Sequence, residues 1–284
     1  MGYTRHNMTT FFERTMAMGN LPGVFMAQKK NGTIYYRSSI TYRSKHISLG
    51  SYSTEKEAHQ AYLEALGIID SKEPVLPEDY SQQALAFSKW IVLTNFKNNG
   101  LYIKTPIYLR NNYFQYYLSQ TDILLFDVDD LFYYSNHSIM RRGSHLFVSD
   151  YGMQVNIASR YNIKNFAVKD KDYRFVNGDD HDWRYANIEI MNPYYGVSQI
   201  SDNHNTIYLV KIHVNGDWVV GRYSDEIQAA IAYNKAADLL VKHVVEKKYT
   251  QNYLTELSPS QYADIYQDLK IESRFLENLK TIRT

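Results

Sequence analysis

Residues 172–191 read Asp-Tyr-Arg-Phe-Val-Asn-Gly-Asp-Asp-His-Asp-Trp-Arg-Tyr-Ala-Asn-Ile-Glu-Ile-Met and gather four ligand-type side chains, Asp179, Asp180, His181 and Asp182. Carboxylate oxygens beside an imidazole could hold a divalent cation such as Mg2+ and activate a water against a phosphodiester. The same letters also read as a polar turn on Asn177-Gly178-Asp179, which needs no metal. The turn is the stronger reading, and His181 remains a weak ligand candidate. His137 and His145 stand alone in polar stretches and read as solvated surface groups. No Ser-His-Asp order, P-loop or Gly-x-Gly-x-x-Gly is present. With nine histidines and no cysteine there is no zinc pattern, disulfide, iron–sulfur cluster or thiolate nucleophile. A reducing compartment, the cytoplasm, is the expected setting.

Charge is the second kind of chemistry on offer. Over 284 residues, 31 Lys and Arg face 30 Asp and Glu, a net charge of +1 that argues against a wholly basic protein. Locally the balance is broken. Residues 1–52 carry Arg5, Arg14, Lys29, Lys30, Arg37, Arg43 and Lys45 against Glu13 alone, while residues 121–130 hold Asp122, Asp127, Asp129 and Asp130 and no base. One basic end suffices to bind a polyanion. No apolar run is long enough for a membrane span, and no membrane partner is expected. Tyrosine is abundant at 27 copies, which suits half-wet surfaces and strands alike.

The elements that position these groups come in two copies. Gly23-Val24, Tyr36 to Ile40, Leu49-Gly50-Ser51-Tyr52-Ser53-Thr54-Glu55, Ala58, Ala61-Tyr62 and Ala65 recur as Gly196-Val197, Tyr208 to Ile212, Val220-Gly221-Arg222-Tyr223-Ser224-Asp225-Glu226, Ala229, Ala232-Tyr233 and Ala236. From Gly50 and Gly221 onward the two copies keep a constant offset, the mark of an internal repeat. Each copy reads as three short strands and one helix. The strands alternate with period two, Arg43 to Lys45 is a turn, and the helices are capped by Ser53 and Ser224. Alanines at spacings of three and four let each helix lie close on its sheet and leave the opposite face free.

Both copies resemble the AP2 domain, known from plant ethylene-response factors and from phage and bacterial homing endonucleases: Gly-Val, an aromatic strand, Leu-Gly-x-Phe/Tyr and an Ala-x-x-x-Ala-Tyr helix. The likeness covers residues 20–69 and 193–242. It implies double-stranded DNA as partner, with the sheet in the major groove. The outward positions it implies are Phe25, Ala27, Tyr35, Ser39, Thr41 and Ser48 in the first copy and Tyr195, Ser198, Ile200, Lys211, His213 and Val219 in the second. Lys29, Lys30, Arg37, Arg43 and Lys45, read as hairpin ends and turns, would meet phosphates, and Arg222 joins Lys211 and His213 near the second sheet.

Residues 172–191 resemble the ββα-metal core of HNH endonucleases, with Val176-Asn177-Gly178-Asp179, Asp182, Arg184 and Asn187-Ile188 on the family's frame. The family's Asp-His pair is replaced by Arg174-Phe175, neither of which can ligate a cation. The likeness therefore implies a core without catalytic residues, in which Arg174 and Arg184 still meet phosphate. The expected fold is α+β: an AP2-like module in residues 1–70, a linker and helix in 71–100, a degenerate HNH-like domain in 101–192, a second AP2-like module in 193–245 and a helical segment in 246–284. Tyr262, Ile265, Tyr266, Leu269, Phe275, Leu276 and Leu279 form its apolar stripe, which packs on its own domain or forms a homodimer. The expected function is sequence-specific DNA binding without cleavage, as a regulator, a repressor, of a phage or mobile element, with no cofactor. The alternatives are a working nicking or homing endonuclease using Mg2+ near His181, and a protein-interaction module or inhibitor.

Overall fold

The computed structural model describes residues 17–18, 21–81, 83–165, 167–202, 205–243 and 248–281. Arg5, Glu13 and Arg14, which enter the basic count of the N-terminal end, lie outside them, as does Ile282. The architecture is mixed α+β, with fifteen strands in five small sheets and six α-helices among the described residues. No helix among them is long and apolar enough to cross a membrane. The chain forms two compact units, one taking residues through Gln154 together with His181–Arg184, the other Val155–Asp180 and the chain from Tyr185 onward.

The first unit opens with β1 (Ala17–Met18), β2 (Val24–Gln28), β3 (Ile34–Tyr42) and β4 (Lys45–Tyr52), antiparallel and in sheet order, followed by α1 (Glu55–Asp70). Thr54, one residue beyond the expected Ser53, caps the helix. Its hydroxyl accepts from the Glu57 N–H and the Glu57 carboxylate accepts from the Thr54 N–H, both at 3.2 Å, a complete capping box. The Ser53 hydroxyl, which donates to the same carboxylate at 2.9 Å, and then the bonds from Thr54 hold the Glu57 carboxyl below its ordinary pKa. Ala58, Ala61, Ala65 and Ile68 form the buried stripe. α2 (Phe87–Asn99) adds Trp90, Ile91, Leu93 and Phe96 to the same core, so the stretch 71–100 is structural and not merely connecting.

A second sheet of this unit runs β5 (Ile107–Leu109), β6 (Tyr113–Tyr117) and β7 (Ile123–Asp127), and α3 (Leu131–Asn136) follows. Phe114, Phe126 and Tyr134 fill the space between them, with the Phe126 and Tyr134 rings 4.4 Å apart. β8 (Ile139–Arg142), β9 (His145–Asp150) and β10 (Met153–Asn156) make a third small sheet. Residues 181–184 return to the edge of β7, where Leu125 donates to the His181 carbonyl at 2.9 Å and Trp183 donates to the Leu125 carbonyl at 2.8 Å.

In the second unit β11 (Tyr173–Phe175) pairs with β12 (Ile188–Ile190). No helix follows β12: residues 191–196 lead directly into β13 (Val197–Asp202). β14 (Asn205–His213), β15 (Asp217–Tyr223) and α4 (Glu226–Lys242) complete the second three-stranded module. Asp225, not Ser224, caps α4 by accepting from the Gln228 N–H at 2.8 Å. The C-terminal helix breaks into α5 (Pro259–Asp268) and α6 (Ser273–Thr281). Between them the backbone serves the sheet instead: Glu272 donates to the Val220 carbonyl and the Lys270 carbonyl accepts from Tyr223. Phe275 and Leu279 are buried in this module's own core, the packing that the stripe favours over a homodimer.

The repeat is exact in register. Val24, Ser38 and Gly50 align across the first sheet as Val197, Val210 and Gly221 do across the second, and a bulge follows at Ser38/Ser39 and at Val210/Lys211. Gly23 and Gly196 sit at φ +73° and +68°. A Cβ on them would lie 2.1 Å from the Tyr62 ring and 2.3 Å from the Tyr233 ring. Their carbonyls accept from Ser39 and Lys211, just past the two bulges.

Gly196→Ala is therefore expected to destabilise the second module by about 2–4 kcal/mol, through steric overlap and left-handed strain together. Gly152→Ala, at φ +79° with nothing within 4 Å, should cost only the strain, about 1 kcal/mol. Chemical denaturation of the two variants checks the difference.

Candidate nucleic-acid interface

Register sorts the side chains of each three-stranded module between two faces. In the first, Val24 and Ser38 face α1 and are buried. The next row, Phe25, Arg37 and Ser51, lies on the opposite face, as do the pairs Ala27–Tyr35, Ser39–Ser48 and Thr41–His46. Thr41, His46, Ser48 and Ser51 are exposed and Phe25, Tyr35, Arg37 and Ser39 half-buried. Ala27, expected to point outward, is buried.

Arg37 stands in the middle of the central strand, not at a hairpin end. The bulge after Ser38 places its extra residue, Leu49, in β4, so Tyr35, Arg37, Ser39 and Thr41 keep one parity along β3. Lys29 and Lys30 lie exposed in the β2–β3 turn and Lys45 begins β4. The two ends of β3 are about 30 Å apart at ~3.3 Å per residue. No Asp or Glu occurs between Leu21 and Tyr52, and among the described residues Lys29, Lys30 and Lys45 hold no ion pair. Arg43 differs. At φ +44° in the turn, its guanidinium lies 5.1 Å from the Tyr42 ring and 6.0 Å from the Phe96 ring. It packs beside the end of α2 while the residue itself stays exposed.

The second module places different chemistry on the same rows. Ser198, Leu209 and Arg222 align, as do Ile200 with Ile207, Lys211 with Val219 and His213 with Asp217. Leu209 occupies the place of Arg37, and Ile207 that of Tyr35. Asp217 binds the His213 ring at 2.9 Å, which holds its carboxyl below the ordinary range. Arg222 pairs with Glu272 at 3.3 Å. Lys211 is the exposed cation left without an ion pair on these rows among the described residues. Asp202 ends β13 where the first copy has Lys29, and Val214-Asn215-Gly216 stands in place of the basic β3–β4 turn. Tyr195 precedes β13 and is tied through its N–H to Asn252.

The two arginines expected to keep a phosphate grip in the middle region are ion-paired. Arg174 lies directly across from Glu189 and donates to it at 2.6 Å. Arg184 donates twice to Asp182, at 2.8 and 2.6 Å, and its guanidinium lies 5.4 Å from the Tyr113 ring. The Asp182 carboxylate is only 2% exposed, so Arg184 supplies the counter-charge that makes its burial tolerable. Upstream, Gly178 at φ +80° and the bond from the Asp179 N–H to Asn177 build the polar turn read from the sequence. The ligand atoms of Asp179, Asp180 and His181 come within 4.8 Å of one another. Asp180 is held by Lys169 at 2.8 Å, and His181 lies 3.3 Å from Asp122, which Arg141 grips with two bonds. Comparisons with protein-family models, with curated proteins and with solved structures find no match to this chain.

Removing one partner of a buried pair strands the other charge. Arg184→Ala is expected to cost about 3 kcal/mol. Arg174→Ala, from an exposed pair, should cost less than about 1 kcal/mol. Denaturant midpoints of the two variants decide whether Arg184 is structural.

Proposed function

We propose that this chain is a sequence-specific double-stranded DNA-binding protein that grips DNA through the free face of β2, β3 and β4 and does not cut it. The absence of Asp and Glu from residues 21–52, which supply β2, β3 and β4, carries the reading. Tyr35, Arg37, Ser39 and Thr41 alternate along the central strand, with lysines at both ends. An antiparallel ribbon fits the major groove of B-DNA. There the central Arg37 would reach base edges, and Lys29, Lys30 and Lys45 would neutralise phosphates that fix the register.

On this reading both repeats are AP2-like modules and residues 101–192 are the remnant of an HNH-like core. Arg174-Phe175 stand where the ligand pair would be, and the helix that completes a ββα site does not follow β12. A protein that occupies its site without cleaving it acts by exclusion. The role that follows is a repressor in a phage or mobile element. The second module, with aliphatic residues and paired cations on the equivalent face, adds little to the grip.

Selection from randomised duplexes followed by fluorescence anisotropy tests this. Arg37→Ala is expected to weaken binding to the selected duplex about 5- to 150-fold and to relax preference at one position. Replacing Lys29 and Lys30 together should reduce the slope of log affinity against log salt by about 2, whereas Lys211→Ala should change affinity less than about two-fold. Supercoiled plasmid incubated with Mg2+ or Mn2+ should stay intact. Nicking that disappears in His181→Ala would overturn the non-cutting reading, and absence of any duplex binding at low salt would overturn the whole.

A further inference from the structure

The β8–β9–β10 sheet carries a second surface on different residues. Its register sets Ile139 opposite Val148, both buried, and so places Met140 with Phe147 and Arg142 with His145 on the outward face. Arg142 donates to the Gln154 side chain at 3.0 Å, which ties the third strand into that face. The His145 and Phe147 rings are 6.1 Å apart. No carboxylate lies on these outward positions. Asp150, at the end of β9, is engaged by the His137 ring at 3.5 Å.

The turn that joins β9 to β10 is Tyr151-Gly152, at φ +45° and +79°. A left-handed turn suits glycine, asparagine or aspartate at its first central position. An aromatic residue there costs about 1–2 kcal/mol. Nothing in the fold offsets that cost, because Tyr151 is 97% exposed, and its neighbour Met153 is 66% exposed. A residue strained in the free protein and packed against nothing is explained by what it touches in a complex.

We propose that this face binds single-stranded nucleic acid, with Tyr151 and Phe147 as stacking platforms for unpaired bases and Arg142 and His145 as partners for the phosphates between them. Aromatic rings beside a guanidinium and an imidazole, with no acid among them, match the alternation of base and phosphate along a single strand. A duplex hides its base faces and offers such rings nothing to stack on. The proposal does not rest on the duplex reading, which uses other residues.

The test measures anisotropy of a labelled oligothymidylate and of a selected duplex with the full chain. Tyr151→Asn, compatible with the turn, is expected to leave the thermal midpoint unchanged or raised. It should weaken oligothymidylate binding about 5- to 150-fold, the range for one lost base stack, and leave duplex affinity unaltered. Arg142→Gln should weaken the same oligonucleotide and flatten its salt dependence. Undiminished oligothymidylate binding by Tyr151→Asn overturns the proposal, as does failure of the unmodified protein to bind it at low salt. Loss of duplex binding in Arg37→Ala alone leaves this proposal standing, so the two readings fail separately.

Discussion

The fold of both modules depends on one steric contact, a tyrosine ring of the helix laid over a glycine at the start of the first strand. At Gly23 and Gly196 the space a Cβ would fill is taken by Tyr62 and Tyr233. The positive φ at each glycine then turns its carbonyl toward the central strand just past the bulge. The helix is thereby held at one height over the sheet, and its alanines can approach the strands closely. The core residues of each sheet gather on that side, so the opposite face is left to whatever the sequence places there.

What it places there separates the two copies. Duplicated backbones carry Arg37 in one and Leu209 in the other, and serine in one where the other has Arg222, itself paired with Glu272. Exposed pairs of this kind contribute little to stability. Their consequence is electrostatic, because a cation already facing a carboxylate has little charge left for a polyanion. The lysines at the ends of the first sheet have no such neighbours among the described residues. Surface charge thus separates from fold, and the two copies share a shape while differing in charge.

The middle of the chain shows a similar separation. β11 and β12 pair, and the polar turn between them forms, yet the next residues enter a new sheet where a metal-binding helix would have to begin. Asp182, on the frame of the nuclease motif, has been drawn into the first unit, where Arg184 neutralises it against the Tyr113 ring. Asp180 and His181 are likewise held by Lys169 and Asp122. The carboxylates that read as ligands in a line of text act in the structure as anchors.

The sequence by itself determined the repeat, its strands, the alanine faces of its helices and the basic character of one sheet, because these follow from local periodicity and spacing. It misplaced both helix caps by one residue, since Ser53 and Thr54, or Ser224 and Asp225, are chemically alike and only the reach to the third helical N–H distinguishes them. It also left open whether a given arginine is available. Arg43, Arg174 and Arg184 look equivalent in one dimension, but a nearby aromatic ring, a cross-strand glutamate and a buried aspartate give them three different fates. The strained Tyr151 carried no signal at all, because left-handed backbone at a non-glycine residue is set by the closing of a hairpin. Only the tertiary structure could decide which charges are neutralised, since pairing joins residues by position in space and periodicity reports only on neighbours along the chain.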